Sequence, residues 1–304
     1  MTGRRTVLAA VVLLHLLAVS LDAQISQQAL SLPTPQTRQQ LTKELQAHRA
    51  EKNLHGEALT LLQLGMAEAG LGNVEGARSN LLEAVRKMRA QNDLVGAWLG
   101  LITVSQLEIA LGRPEEAVPH LEKALAAINE AKVTTAPFRL ETLMAFGSVS
   151  GLSPQMVGSL DESGAAAMKP MILQFMLEPV THDLYGSVLT QVGRLEKAEA
   201  ALKTAAAGAI YAQGMYDFSI ESHFGDLRFR QQRYDEARAH YRKALTASSK
   251  MPQVPMSDQL SDQLIRAGIY DRLARLETIT GNPEEAKRWS EKARELGKGR
   301  GGER

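Results

Sequence analysis

The sequence predicts an all-α fold, a solenoid of antiparallel helix pairs, and three observations carry that prediction. Ala, Leu, Glu, Gln, Arg and Lys dominate the 304 residues, with 5% aromatics and eleven prolines, a composition that favours helix. Two alanines seven residues apart recur five times, at Ala77 and Ala84, Ala117 and Ala124, Ala198 and Ala205, Ala237 and Ala244, and Ala286 and Ala293. Each copy follows a turn and an acidic helix start, so each marks the second helix of a repeated unit.

Alanines seven apart lie on one helix face and, with no side chain beyond Cβ, let a paired helix approach closely. Leu81, Leu121, Leu202 and Tyr241 stand between them and are expected to fill the groove; Ser290 takes that place in the last copy, beside Trp289. Gly72, Gly112, Gly193 and Gly281 are expected to end the preceding helices in a left-handed conformation. Glu75, Glu115, Glu196, Asp235 and Glu284 place negative charge where the next helix dipole favours it. Pro114 and Pro283 fall in the first turn, where proline is tolerated. Upstream of each turn a first helix carries a hydrophobic residue followed by a small one: Leu64 and Gly65, Val104 and Ser105, Tyr185 and Gly186, Phe224 and Gly225, Leu273 and Ala274.

In these residues the chain resembles the tetratricopeptide-repeat (TPR) family over roughly 55 to 297. The resemblance implies a right-handed superhelical solenoid whose first helices line a concave groove that holds a protein or peptide. The spacing departs from the common form. Anchor alanines lie 40, 81, 39 and 49 residues apart, against ~34 in the short repeat, so the unit is the long one. The 81-residue step spans two units and predicts a sixth, degenerate one between Thr134 and Met176. Its helices would be Phe138 to Val149 and Ala165 to Met176, with a turn at Ser153 and Pro154, and Pro170 would kink or split the second. A pliable insertion is the alternative.

The ends read differently. Arg4 and Arg5 precede an apolar run from Thr6 to Val19, interrupted by His15, and small residues at Ser20 to Ala23 close it. This is the layout of a secretory signal peptide cleaved after Ala23. The expected organisation is therefore a signal peptide (1–23), a flexible linker (24–36), an N-terminal capping helix (37–54), repeats one and two (55–133), the degenerate unit (134–178), repeats three to five (179–297) and a tail (298–304). The chain is expected to be exported, periplasmic or secreted, with no membrane span after cleavage; an anchor retained uncleaved is the alternative.

Chemistry is sparse. Thirty-five basic against thirty-four acidic side chains argue against a nucleic-acid partner. The absence of cysteine excludes disulfides, thiolate zinc and a cysteine nucleophile. No phosphate loop, metalloprotease helix or nucleophile elbow occurs. Glu221, Ser222 and His223 are neighbours along a helix and must point to different faces. No catalytic residue, metal ligand or cofactor is expected, and the chain reads as a binding protein rather than an enzyme.

The family's groove maps onto Leu59, Leu62, Met66, Leu99, Ile102, Gln106 and Ile109 in the N-terminal repeats. In the C-terminal repeats it maps onto Asp183, Ser187, Thr190, Ser222, Asp226, Arg230, Asp271 and Arg275. The apolar half either anchors a partner or packs against the capping helix and the degenerate unit; the polar half either recognises a partner or is a solvated face. Chaperone-binding members clamp a terminal carboxylate with Lys, Asn and Arg. The corresponding places here hold Leu62 and Met66, Ile102 and Gln106, or Asp183 and Ser187, so that clamp is absent. The expected function is an adaptor or scaffold holding another protein or a peptide; a carrier or sensor of a small apolar or glycan ligand is the alternative.

Overall fold

The computed structural model describes residues 34–135, 139, 142, 162–209, 217–249 and 257–298. The signal peptide, most of the linker, the helix expected at Phe138 to Val149 with its turn at Ser153 and Pro154, and the tail beyond Lys298 lie outside them. The described residues are helical, without a strand, and belong to two compact units, Met1–Leu177 and Glu178–Arg304. The fold class read from the sequence is the one found.

The first unit runs α1 (Pro35–Ala50), α2 (Leu54–Gly70), α3 (Val74–Ala90), α4 (Leu94–Ala110), α5 (Pro114–Val133) and α6 (Glu162–Ile172), which passes into a π-helical turn at Leu173–Leu177. The second runs α7 (Glu178–Gln191), α8 (Leu195–Ala209), α9 (Asp217–Arg230), α10 (Tyr234–Ser248), α11 (Ser257–Ile279) and α12 (Pro283–Lys298). Pairing is between neighbours: α2 with α3, α4 with α5, α7 with α8, α9 with α10 and α11 with α12. Pro170 does not split its helix. It lies inside α6, and the lost donor is followed within one turn by the π-helical widening.

Three of the pairs, α2–α3, α7–α8 and α9–α10, close where a glycine meets a bulky residue. A Cβ built on Gly65 would fall 2.6 Å from Cγ of Leu81, and one on Gly186 equally close to Cγ of Leu202; Gly225 stands in the same relation to the Tyr241 ring. Leu81, Leu121, Leu202 and the four alanine pairs from Ala77 to Ala244 are fully buried. The small residue is therefore what sets the interhelical distance.

The turns repeat one backbone. Gly72, Gly112, Gly193 and Gly281 have φ between 72° and 80°, and Lys52, Asn92 and Gln232 adopt the same conformation at 55° to 61° without being glycine. At Gly72 the helix end is closed by Asn73 N–H bonding the Glu68 carbonyl (2.9 Å). Asn53, Asn73 and Asp93 then cap the next helix, accepting from the N–H of Gly56, Gly76 and Gly96 at 2.9, 3.2 and 2.8 Å.

Forty-residue register extends to α1. Thr34 caps it and Pro35 opens it, so the helix begins two residues before Thr37 and ends at Ala50, short of the expected boundary at 54. Thr37, Leu41 and Glu44 occupy the places of Ala77, Leu81 and Ala84, forty residues on. α1 is thus a second helix by register, with polar residues where a first helix would pack, as a terminal cap requires.

Within each unit, ion pairs in one register join a second helix to the next first helix. Arg78, which follows the anchor Ala77, bonds Glu108 near the end of α4 (2.7 and 2.8 Å). Arg238, which follows Ala237, bonds Glu277 of α11 (2.6 and 3.1 Å). Arg38 of α1 reaches Glu68 of α2 at 3.4 Å. Between α8 and α9 the signs are exchanged: Glu199 accepts from Arg228 (2.9 and 3.1 Å). The hydrogen bond from Arg228, helped by one from Lys203, pulls the Glu199 carboxyl down to about 2.

The closing contact predicts opposite outcomes for two glycine substitutions, measured by urea denaturation. Gly65→Ala forces Leu81 aside and should destabilise by about 1–3 kcal/mol despite its better helix propensity. Gly268→Ala in α11 would meet only the end of the flexible Arg272 side chain, at 3.5 Å, and should stabilise by about 0.4–1 kcal/mol.

Candidate functional site

The first helices of the second unit carry a polar row. On α9, Ser219, His223, Asp226 and Arg230 are spaced three and four residues apart and share a face. Asp183 of α7 meets that face: its Oδ2 accepts from the Ser219 hydroxyl (2.5 Å) and its Oδ1 lies 2.8 Å from His223 Nδ1. One turn on, Asp226 accepts from Arg272 of α11 (2.9 and 3.1 Å) and from the Tyr241 hydroxyl of α10 (2.9 Å). Asp183, His223, Asp226 and Arg272 thus form a series in which acidic and basic groups alternate, bridging three consecutive first helices.

The electrostatics follow from that order. Burial opposes a charge on His223, but attraction and hydrogen bonding from Asp183, with Asp226 beyond, outweigh it and the adjacent Arg272, and raise the imidazole above its ordinary value. Burial, then Asp226, push the Tyr241 hydroxyl far up, so it is a fixed donor. Burial opposes the Arg272 charge, but Asp226 outweighs it and raises the guanidinium above its ordinary value.

Around this braced series the surface opens. Arg230, Asp271 and Arg275 are exposed, and the Arg275 guanidinium lies 5.1 Å above the Phe229 ring, which orients it. Ser187 is half-buried, and Thr190 is buried with its hydroxyl on the Gly186 carbonyl (2.9 Å). Ser222 is turned inward onto the Phe218 carbonyl (2.7 Å), and Glu221 goes to His240 (2.6 Å). Glu221, Ser222 and His223 therefore serve three different partners. Asp183 stands between Ser219 and His223, so the serine proton points to a carboxylate rather than to an imidazole base, and no activated nucleophile results.

The N-terminal residues are placed otherwise. Leu62, Leu99, Ile102 and Gln106 are buried, while Leu59, Met66 and Ile109 are half-buried. α4 is buried on every face from Leu94 to Glu108, as a helix apolar all round must be. Its cap Asp93, itself buried, also accepts from the Thr142 hydroxyl (2.7 Å). The sequence reading missed Ser219, His223, Tyr241 and Arg272 as members of the polar row; the spacing of Ser219, His223 and Asp226 along one helix was the available signal. Among the described residues, no three His, Asp or Glu stand where they could hold a metal ion, and no helix is long and apolar enough to cross a membrane.

Comparison with known proteins agrees with this architecture. The sequence model of the tetratricopeptide repeat family matches residues 223–251, which contain α10 and its anchor alanines. Among solved structures, BtubC (BKLC) from P. vanneervenii is similar with a TM-score of 0.57 at 14% identity, over 88% of this chain and 92% of that one. That is a likeness of fold. The assembly chaperone of RpL4 (Acl4, residues 1–338) gives a TM-score of 0.42 at 17% identity, over 86% of this chain and 97% of that one, too loose a likeness to carry an argument. No curated protein matches.

The His223 bridge predicts a pH dependence. A raised imidazole pKa stabilises the fold fully below its ordinary value of 6.5 and loses that contribution as the pH rises through the raised value. Thermal midpoints followed from pH 5.5 to 9 should fall in the native chain relative to His223→Gln, which lacks the titrating group; parallel curves would exclude the bridge.

Proposed function

We propose that this TPR-like helical-repeat protein is an exported adaptor that holds a segment of another protein on the first-helix face of its second unit. The observation that carries the reading is the braced polar row. Asp183, His223, Asp226 and Arg272 satisfy one another and hold α7, α9 and α11 together, so that exposed Arg230, Asp271 and Arg275 stand on a pre-organised support. Pre-organisation of this kind lowers the ordering cost of binding. The mixed signs suit a polar segment bound by side-chain hydrogen bonds and ion pairs. The buried Leu62, Leu99 and Ile102 leave the first unit a supporting role.

Export rests on the leader from Arg4 to Ala23. Mass spectrometry of the protein purified from its own cells should find Gln24 as the first residue; a chain that keeps Met1 and remains in the cytoplasm overturns export. Binding is tested by crosslinking the purified chain to its own envelope and secreted fraction. Arg230→Glu with Arg275→Glu should abolish a crosslinked product that survives Arg242→Glu with Lys243→Glu, a charge reversal of equal size on exposed residues of α10. Equal loss from both pairs, or from neither, contradicts the assignment to the first-helix face.

A further inference from the structure

The ion pairs between successive helix pairs hold a second regularity. In each, the first-helix partner is the more deeply buried: Glu68, Glu108, Arg228 and Glu277 are all under 9% exposed. A charge buried to that degree must meet an opposite one. A second helix therefore accepts only a first helix of matching sign at this position.

The joints differ in how tightly the chain enforces the match. In the first unit three residues separate α1 from α2 and three separate α3 from α4, and both joints have the same polarity, Arg to Glu. Such short turns leave a helix no neighbour but the adjacent one. In the second unit seven residues separate α8 from α9 and eight separate α10 from α11. There the polarity alternates, Glu199 to Arg228 and then Arg238 to Glu277. We propose that this alternation is a sorting device: where the connections are long enough to permit another docking, charge sign decides which first helix each second helix accepts.

The alternatives it rejects are specific. If α11 docked on α8, skipping a pair, buried Glu277 would face Glu199. If α9 of one copy docked on α10 of another, as in a swapped dimer, buried Arg228 would face Arg238. Both put like charges together where one of them is out of water. Misassembly among similar repeats is the characteristic failure of repeat proteins, because the apolar parts of their faces are interchangeable. The anchor alanines Ala205 of α8 and Ala244 of α10 each share an apolar cluster with a first-helix isoleucine, Ile220 and Ile269, and are interchangeable in this sense, whereas the ion-pair residues Glu199 and Arg238 are not.

The test exchanges signs in the full-length chain and reads refolding from urea, by tryptophan fluorescence and by the fraction recovered at the native elution position on size exclusion. Glu199→Arg with Arg228→Glu keeps every ion pair but makes both joints of the second unit alike, and so does Arg238→Glu with Glu277→Arg. Each double variant should refold at least three-fold more slowly, or lose at least half of the fraction recovered at the native elution position. All four substitutions together restore alternation with the signs reversed and should recover native refolding to within two-fold. The quadruple variant carries every local cost of both doubles, such as a new cation beside Lys203 (3.1 Å from Glu199), so recovery cannot come from relief of those costs. Should the doubles fail to fold while the quadruple folds, the sorting role stands. Doubles that refold like the native chain, or a quadruple no better than the doubles, overturn it.

Discussion

A helix pair of this protein closes because a residue without a side chain lies opposite one that needs the space. Gly65 against Leu81, Gly186 against Leu202 and Gly225 against Tyr241 are one contact made three times. Each brings the two backbones to a distance at which the flanking alanines also touch, so that Leu81, Leu202 and the alanines beside them lose all contact with water. Burial of a leucine to that degree stabilises by about 1.5–3 kcal/mol. A single pair buries too little apolar surface to fold alone, and each depends on its neighbours for the rest.

From that distance the remaining features take their places. With the two helices locked in register, the residue after the first anchor alanine of α3, α8 and α10 meets the next first helix four residues before its left-handed turn. That is where Arg78 finds Glu108 and Arg238 finds Glu277. The same geometry turns the opposite side of α9 toward α7 and α11, which lets Asp183 and His223 meet across forty residues of chain, and Asp226 and Arg272 across forty-six. The polar row is thus a consequence of close pairing. Widening a pair would pull its ion pairs and its hydrogen bonds apart together.

Much of this was legible in the sequence. The anchor alanines, the fillers between them and the small residues on the first helices have a fixed spacing, and spacing is what a helix converts into a face. The glycines at the turns were legible for the same reason. Lys52, Asn92 and Gln232 were not, because a left-handed residue that is not glycine leaves little mark in the sequence. The capping asparagines and aspartate with their glycines at 56, 76 and 96 could have been read from a three-residue spacing alone. The polar row was half read. Asp183, Asp226 and Arg275 were placed on the right helices, but whether a groove position faces solvent depends on what covers it. Periodicity marks Gln106 and Arg275 as equivalent, each six residues before its turn glycine, and only tertiary packing makes one buried and the other exposed. The partnership of His223 with Asp183 likewise needed the distance between two helices, which sequence spacing does not contain.

The most direct measurement of the closing contact is a double-mutant cycle at Gly186 and Leu202 by equilibrium denaturation. Leu202→Ala alone should cost about 2–5 kcal/mol by opening a cavity, and Gly186→Ala alone about 1–3 kcal/mol by overfilling the same space. If the small residue exists to admit the large one, the methyl added at 186 should fit the space vacated at 202, so the double variant should be more stable than the sum by at least about 1 kcal/mol. Additive costs would show that the two residues do not share that space, and the account of how the pairs close would be wrong.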